Sequence, residues 1–348
     1  MPEFIPSLEL NRGFYAEVVA PLLDGTPHAA ARVGWGSDVL GFDTERSTDH
    51  GWGPHLGVFV DAKEVEEAQA CIDAGLPDTY RDWPVRFGWD AVPVMHHVKA
   101  GTVAAWSILQ LGFDATNRVD TVDWLLTPQQ KLLEVTRGAE YHDDSGELSA
   151  LRARLAWYPD DVWLWLIACQ WVRISQEEAF VGRTAEVGDE LGSQVIAARL
   201  ARDLMRLWFL FERTYAPYSK WLGSAFAQLP ESAAIGAALS DAIAARDYPS
   251  RESALVHAYE LAARRFNELA LTSPVEPSIG FYYERPFRVL KADRIAKACL
   301  AELGDSPLAN LPLVGAVDFA DATDLLSHGS RPRLLRSLYE PPAVHDPA

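Results

Sequence analysis

The pattern of hydrophobic positions changes character near residue 147. Before that point, short apolar alternations typical of strands lie between helical repeats, whereas beyond it apolar residues recur at three- and four-residue spacing. The pattern therefore predicts an α+β protein, in which residues 1–147 form a mixed sheet with helices and residues 148–340 form an all-α helix bundle. Residues 341–348 are predicted to be a disordered tail.

The first half contains three stretches with strand character and several with helical spacing. The predicted strands are Ala29–Trp35, Leu56–Val60 and Val92–Val103. The predicted helices are Asn11–Leu23, Ala62–Ala74, Trp106–Gly112 and Pro128–Thr136, and the residues Asp38–Leu40 are expected to form the first turn of a further short helix. In the second half, the longest helical pattern runs from Asp189 to Tyr215, and Pro217 ends it.

Charge and cysteine content narrow the choice of partners and compartment. The formal charge of −18 disfavours a long nucleic acid as a partner, because such a partner needs a basic surface. Cys71, Cys169 and Cys299 lie far apart in no metal-ligand spacing, which indicates a reducing compartment and argues against zinc. The N-terminus has no signal-peptide pattern, and no apolar run reaches the roughly 18 residues that span a membrane. We therefore expect a cytoplasmic protein without membrane contact.

The candidate chemistry lies between Arg32 and Asp61. Gly36-Ser37 is followed by Ser47-Thr48-Asp49-His50 and then by the second predicted strand. Backbone N–H groups of a glycine turn at a helix start suit phosphate oxygens, and the serine hydroxyl adds a donor. We therefore expect Gly36 and Ser37 at the start of a short helix, with Asp49 at or just before the neighbouring strand and facing the same cleft.

The acidic residues of this stretch bear on metal binding. Two carboxylates two residues apart on a strand can hold two metal ions for phosphoryl transfer. Here the residue two positions after Asp49 is Gly51, so a second carboxylate has to come from elsewhere. The candidates are Asp43 in the preceding loop and Asp143 and Asp144 in a later acidic turn.

The Gly36-Ser37 pair, the spaced Asp49 and the strand that follows resemble the signature of polymerase-beta-like nucleotidyltransferases, in their kanamycin-nucleotidyltransferase-like branch. The second half resembles the helical domain of unknown function that is often fused to this domain. That second resemblance rests on the strings Tyr158-Pro159-Asp160-Asp161-Val162-Trp163, Val181-Gly182-Arg183, Gly188-Asp189-Glu190-Leu191-Gly192-Ser193 and Ala216-Pro217-Tyr218-Ser219-Lys220-Trp221. Together the two resemblances cover most of the chain.

The resemblance implies in-line transfer of a nucleoside monophosphate from a nucleoside triphosphate to a hydroxyl of a small molecule or protein, with Mg²⁺ neutralising charge. Asp49 and Asp43 are the candidate metal ligands. The candidate catalytic carboxylates are Asp49, Glu178, Asp189 and Glu190. The candidate nucleotide ligands are Gly36, Ser37, Arg183, Tyr218 and Lys220. Tyr218 and Lys220 follow the helix break at Pro217, and we expect them to line a cleft opposite Ser37 and Asp49.

Two departures from the family pattern leave alternatives open. Gly51 replaces the second carboxylate, and Lys99 stands on the strand that often carries a third. The first alternative is therefore a catalytically degenerate protein that binds nucleotide, or a protein partner, without turnover. The second is a toxin-like transferase that modifies tRNA, for which a basic patch has to form. The arginines available for that patch, or for an ion-pair lattice within the bundle, are Arg173, Arg183, Arg199, Arg202, Arg206 and Arg213.

Overall fold

The structure is a computed structural model that describes residues 2–340, and these residues form two compact units. Unit 1 comprises residues 2–156 and 321–334, and unit 2 comprises residues 157–320 and 335–340. The boundary expected after Glu147 falls at the first residue of a helix, Glu147–Arg154, that lies in unit 1. The predicted tail at 341–348 lies outside the described residues. The predicted α+β class is confirmed, with a mixed sheet in unit 1 and a mainly helical unit 2.

Unit 1 combines seven strands with seven helices before residue 157. The strands are β1 Ala29–Arg32, β2 His55–Phe59, β3 Thr79–Tyr80, β4 Trp83–Pro84, β5 Arg86–Trp89, β6 Val92–Gly101 and β7 Ala139–Asp143. The helices are α1 Ser7–Phe14, α2 Ala20–Leu22, α3 Val65–Gly75, α4 Val103–Leu111, α5 Thr121–Leu125, α6 Gln129–Thr136 and α7 Glu147–Arg154. A π-helix, Tyr15–Val19, joins α1 to α2, and a short helix, Thr323–Leu326, lies in the later segment of this unit.

Five of these strands form one sheet in the order β5-β6-β2-β1-β7. β1 is antiparallel to both of its neighbours, β2 and β7, whereas β2 and β6 run parallel and the chain between them contains α3 and β3–β5. One face of β2 is buried because Leu56 and Val58 pack into a core with Phe14 and Ile72 of the helices and Val98 of β6. The alternation along β2 therefore leaves His55 and Gly57 on the other face, beside His97 and Lys99 of β6.

The sequence pattern located β1, β2 and β6 but not the other four strands of unit 1, and it misplaced two features around the candidate motif. β1 ends at Arg32 and not at Trp35, because Gly34 has φ +97° and its N–H donates to Glu134 O, which turns the chain out of the sheet. The short helix expected at Asp38–Leu40 is wrong, since residues 37–41 form a single turn in which Phe42 N donates to Ser37 O. The predicted strands at Leu56 and Val92 are confirmed as β2 and β6.

Unit 2 is built on long helices with one small hairpin. Its helices are α8 Asp160–Glu177, α9 Phe180–Glu186, α10 Glu190–Phe211, α11 Ser219–Phe226, α12 Ser232–Ala244, α13 Tyr248–Glu268 and α14 Asp293–Glu302, and the hairpin strands are β8 Gly280–Tyr282 and β9 Arg285–Val289. Trp165 and Trp171 of α8 are fully buried, as are Phe209 of α10 and Phe266 of α13. Aromatic side chains thus fill the core of the bundle. Among the described residues, no helix combines the length and apolarity needed to cross a membrane.

Candidate functional site

The Gly36-Ser37 turn is built on a buried ion pair in unit 1. Arg32, at the end of β1, is 1% exposed, and its guanidinium donates to both carboxylate oxygens of Asp38 at 2.7 and 2.9 Å. It also donates to the carbonyl oxygens of Val33 and Trp35, so the same side chain holds both ends of the turn. Ser7 of α1 adds a hydroxyl donor to Asp38 at 2.7 Å. A bidentate pair whose remaining acceptors are satisfied is a rigid support for the turn above it.

Glycine at position 36 is required by this arrangement. Its φ of +132° lies in the region that favours glycine, and a Cβ at this position would overlap the Asp38 carboxylate and lie 2.7 Å from the Arg32 guanidinium. The backbone therefore passes directly over the ion pair. Within residues 2–340, the N–H groups of Gly36 and Ser37 donate to no other group, so they are available to an anion.

Asp49 ends a 3₁₀ helix, Glu45–Asp49, six residues before β2, and its side chain is exposed. Gly51, two residues after Asp49, has φ +60°, and a Cβ there would lie 3.1 Å from the Trp35 ring and 3.3 Å from the Trp89 ring. Two tryptophan rings thus occupy the space beside this position. Within the described part of the chain, Asp49 belongs to no group of three side chains that could share a metal ion.

The other predicted carboxylates are engaged in the fold of unit 1. One oxygen of Asp43 accepts from Ser7 N at 2.7 Å and from the Trp52 indole at 3.1 Å. Asp143 accepts from Gly146 N and Ser149 N at the start of α7. Asp144 is placed beside the start of β1, next to the Phe59 end of β2, whereas the Asp49 loop enters β2 at His55. The predicted Asp49–Asp43 metal pair stays a prediction.

An aromatic cluster lies beside the turn. Trp35 and Trp89 are 5.2 Å apart between ring centroids, and Trp89 also contacts His50 and His97 at 6.2 and 5.1 Å. Trp35 is 40% exposed, although it is a large apolar ring at the centre of the motif. An exposed tryptophan next to free backbone N–H groups offers a stacking surface and anion donors in one place.

The open face of β2 and β6 carries two histidines and a lysine. Burial, followed by the charges of Arg32 and then of His97 and Lys99, lowers the pKa of His55 well below its usual value. Burial also lowers the pKa of His97, whose Nε2 lies 3.0 Å from Phe87 O. Both imidazoles are therefore neutral at pH 7, and Lys99, which is exposed on β6, supplies the charge of the face.

The three candidate carboxylates of unit 2 have structural partners. Glu178 is buried and accepts from the backbone N–H groups of Leu290, Lys291 and Ala292, at 2.7, 3.2 and 3.2 Å, which stabilises the start of α14. Burial, opposed by these hydrogen bonds, raises the pKa of Glu178 to about 7. Asp189 is the N-cap of α10 and accepts from Gly192 N at 2.8 Å.

Glu190 forms an ion pair with Arg251, a fully buried side chain of α13 that also donates to Ser193 Oγ at 2.8 Å. The Arg251 hydrogen bond lowers the pKa of Glu190. The carboxylates Glu178, Asp189 and Glu190 thus hold the ends of helices in unit 2, and their predicted catalytic role stays a prediction.

Some of the predicted basic and aromatic ligands of unit 2 have structural roles within that unit. Arg183 is exposed on α9, and Lys220 lies over the Trp221 ring with its Nζ 5.0 Å from the centroid. Tyr218 is the N-cap residue of α11. The expectation that Tyr218 and Lys220 face Ser37 stays a prediction.

The arginines considered for a basic patch include three that are paired with acids. Arg173 Nε donates to both carboxylate oxygens of Asp203, Arg199 lies 2.9 Å from Glu177, and Arg213 lies 3.0 Å from Asp160. These contacts form the ion-pair lattice within the bundle that was the alternative to a basic patch. They leave fewer unpaired positive charges for a nucleic acid.

Comparisons with known proteins give limited matches. A family model described as a domain of unknown function (DUF4037) matches residues 124–222, which extend from α5 into α11. No curated protein matches the chain. Among solved structures, the chain is similar to the crystal structure of a nucleotidyltransferase-like protein from Exiguobacterium sibiricum 255-15, with 12% sequence identity, coverage of 86% of this chain and 89% of that chain, and a TM-score of 0.33.

Sequence reasoning missed the aromatic cluster. The signal available was the pair of tryptophans that flank the motif, Trp35 directly before Gly36 and Trp52 directly after Gly51. The structure uses them differently, because Trp52 is buried against Trp83 whereas Trp35 is exposed. Only the packing of the sheet separates a core tryptophan from a surface one.

Proposed function

We propose that unit 1 binds a nucleoside triphosphate at the Gly36-Ser37 turn and does not transfer it by a two-metal mechanism. The observation that carries this proposal is the environment of Gly51. Its positive φ and the adjacent Trp35 and Trp89 rings disfavour a side chain at the second carboxylate position. The resemblance to nucleotidyltransferases then points to a degenerate member of that family.

The phosphates would be held by the turn. The free N–H groups of Gly36 and Ser37 and the Ser37 hydroxyl are suitable donors for phosphate oxygens. Arg32 cannot serve, because all of its contacts are within the fold. Lys99 lies on the open face of β6, on the same side as His97, and its flexible ammonium group can approach a phosphate as a point charge.

The base would stack on Trp35. This ring is exposed and packs against the ring of Trp89. Stacking of a base on an aromatic side chain contributes about 1–3 kcal/mol and tolerates any base. The proposal therefore includes no preference among the four common nucleotides.

The charge of the site explains why Mg²⁺ is dispensable for binding in this proposal. Clustered carboxylates repel a triphosphate unless metal ions neutralise them. Here a glycine stands at one carboxylate position and a lysine on the strand that often carries another, so the phosphates meet less negative charge. Metal-independent binding is the physical consequence of these two replacements.

Mg²⁺-dependent transfer to a hydroxyl of a small molecule or protein is the competing function, and exposed Asp49 is the residue that favours it. Asp49 would then need a second carboxylate from a rearranged loop. Release of pyrophosphate from a nucleotide mixture with cell extract as acceptor, abolished in Asp49→Asn, would establish transfer and contradict our proposal.

Isothermal titration calorimetry with ATP, GTP, CTP and UTP in EDTA tests the binding proposal. Trp35→Ala should weaken binding at least about fivefold, since loss of stacking costs 1 kcal/mol or more, whereas Trp35→Phe should retain most of it. Lys99→Ala should also weaken binding. The matched control is Lys63→Ala, because Lys63 is an exposed lysine at the start of α3. Equal affinities in Trp35→Ala and wild type would refute the stacking role.

A further inference from the structure

A cluster of two histidines and an aspartate lies at the β1–β7 edge of unit 1. His28 lies directly before β1, and His142 and Asp144 lie at the end of β7. His142 Nε2 is 3.0 Å from Asp144 Oδ2, and one ligand atom from each of the three side chains lies within 4.8 Å of the others. The His28 and His142 rings are 4.7 Å apart between centroids. This is the one such group of three in the described residues.

The backbone holds these residues in place. Ala30 pairs with His142, and Ala29 pairs with Asp143, so both strands are in register up to the cluster. Beyond the last pair, Asp144 N donates to His28 O at 3.1 Å, and His28 N donates to the Asp144 carboxylate at 3.0 Å. A site on two paired strands has better-fixed geometry than one on a loop.

Hydrogen bonding fixes the tautomer of His28. Its Nδ1 lies 2.7 Å from Thr26 O, and since a carbonyl only accepts, Nδ1 carries the proton. Nε2 therefore presents a lone pair, to which the Tyr15 hydroxyl donates at 2.9 Å. A histidine that donates one ring N–H to a backbone carbonyl and presents the other nitrogen is oriented as metal ligands usually are.

We propose that His28, His142 and Asp144 bind a divalent first-row transition-metal ion, with Zn²⁺ as the expected ion. Two imidazole nitrogens and a carboxylate oxygen suit Zn²⁺, whereas Mg²⁺ prefers oxygen ligands alone. Ligand atoms around tetrahedral Zn²⁺ lie about 3.4 Å apart, given bonds of about 2.1 Å. Rotation of the partly exposed His142 and the exposed Asp144 side chains would bring the three ligand atoms to this distance from one another. The site uses no cysteine, which is why the cysteine spacing did not reveal it.

Metal binding changes the hydrogen bonds of the cluster. In the metal-free cluster Nε2 of His142 donates to Asp144, and this nitrogen must give up its proton to become a ligand. The Tyr15 hydroxyl must likewise release Nε2 of His28.

Titration of Zn²⁺ into the untagged, chelator-treated full chain tests the site. We expect one calorimetric site for Zn²⁺, no comparable site for Mg²⁺, and a visible absorption band with Co²⁺ at the same stoichiometry. His142→Gln and Asp144→Asn should each weaken Zn²⁺ binding by at least about tenfold. Asp144→Asn keeps an oxygen for the His28 N–H, so the strand ends should remain paired and the circular dichroism unchanged.

The matched control is His257→Gln, because His257 is an exposed histidine of α13 in unit 2. It should leave Zn²⁺ binding unchanged. Failure of the wild type to bind Zn²⁺ would mean that the cluster is a hydrogen-bonded contact only. Wild-type affinity in both cluster variants, or equal weakening in His257→Gln, would mean that scattered surface groups bind the ion. Each of these three results overturns the proposal.

Discussion

Replacement of Gly36 by alanine tests the structural basis of the candidate site. The turn is held above the Arg32–Asp38 pair, and a Cβ at position 36 would overlap the Asp38 carboxylate. An alanine therefore has two effects, a strained backbone at φ +132° and displacement of a buried ion pair. Strain of this kind costs about 1–3 kcal/mol, and breaking a buried pair costs about 3–5 kcal/mol. We expect Gly36→Ala to lower the free energy of unfolding of unit 1 by at least about 4 kcal/mol.

Gly41→Ala is the matched control for this prediction. Gly41 also has a positive φ, +77°, but nothing lies within 4 Å of a Cβ built there, so its replacement adds only backbone strain of about 1–2 kcal/mol. The assay is urea unfolding of the full chain by circular dichroism, with hydrogen exchange of peptides from β1 to identify the transition of unit 1. A Gly36→Ala variant no less stable than Gly41→Ala would refute the dependence of the turn on the ion pair.

Two further predictions concern unit 2. Because burial raises the folded-state pKa of Glu178 from 4.5 to about 7, its protonated form contributes stability that is present below pH 4.5 and lost as the pH rises to about 7. Relative to uncharged Glu178→Gln, the wild type should thus lose about 3 kcal/mol over this window, measured from urea midpoints at each pH, and a constant difference would contradict the buried carboxylate. Asp189→Ala should destabilise α10 by about 1 kcal/mol through loss of its N-cap, whereas Asp189→Asn should cost little. If Asp189 is instead catalytic, both variants should lose activity without loss of thermal stability.

Local patterns were enough to predict much of the fold. β2 was predicted within one residue, because Leu56 and Val58 on the buried face alternate with His55 and Gly57 on the open one. The helix predicted from Asn11 begins four residues earlier, at Ser7, where Pro6 O accepts the first helical N–H groups, and it contains a π-helix turn before Pro21. The end of β1 was misjudged, since the apolar run through Val33 and Trp35 gives no sign of the turn imposed by Arg32 and Asp38.

The features that could not be predicted from the sequence depend on contacts between residues far apart in the chain. The partners of Glu178 lie more than a hundred residues later, before α14, so its exposed or buried state depends on how the helices pack. His28 and His142 are equally distant in sequence and meet only because β1 pairs with β7. By contrast, the capping role of Asp189 depends on local sequence alone, because an aspartate directly before a helical run is a common N-cap.

The affinity of the wild-type chain for a nucleoside triphosphate, measured by calorimetry in EDTA and again in excess Mg²⁺, tests the central claim most directly. We predict that binding persists in EDTA, with dissociation constants that agree within a factor of about three, and that no pyrophosphate is released in either buffer. Binding that disappears in EDTA and is accompanied in Mg²⁺ by pyrophosphate release would contradict the account, because it would require a metal clamp that Gly51 does not provide.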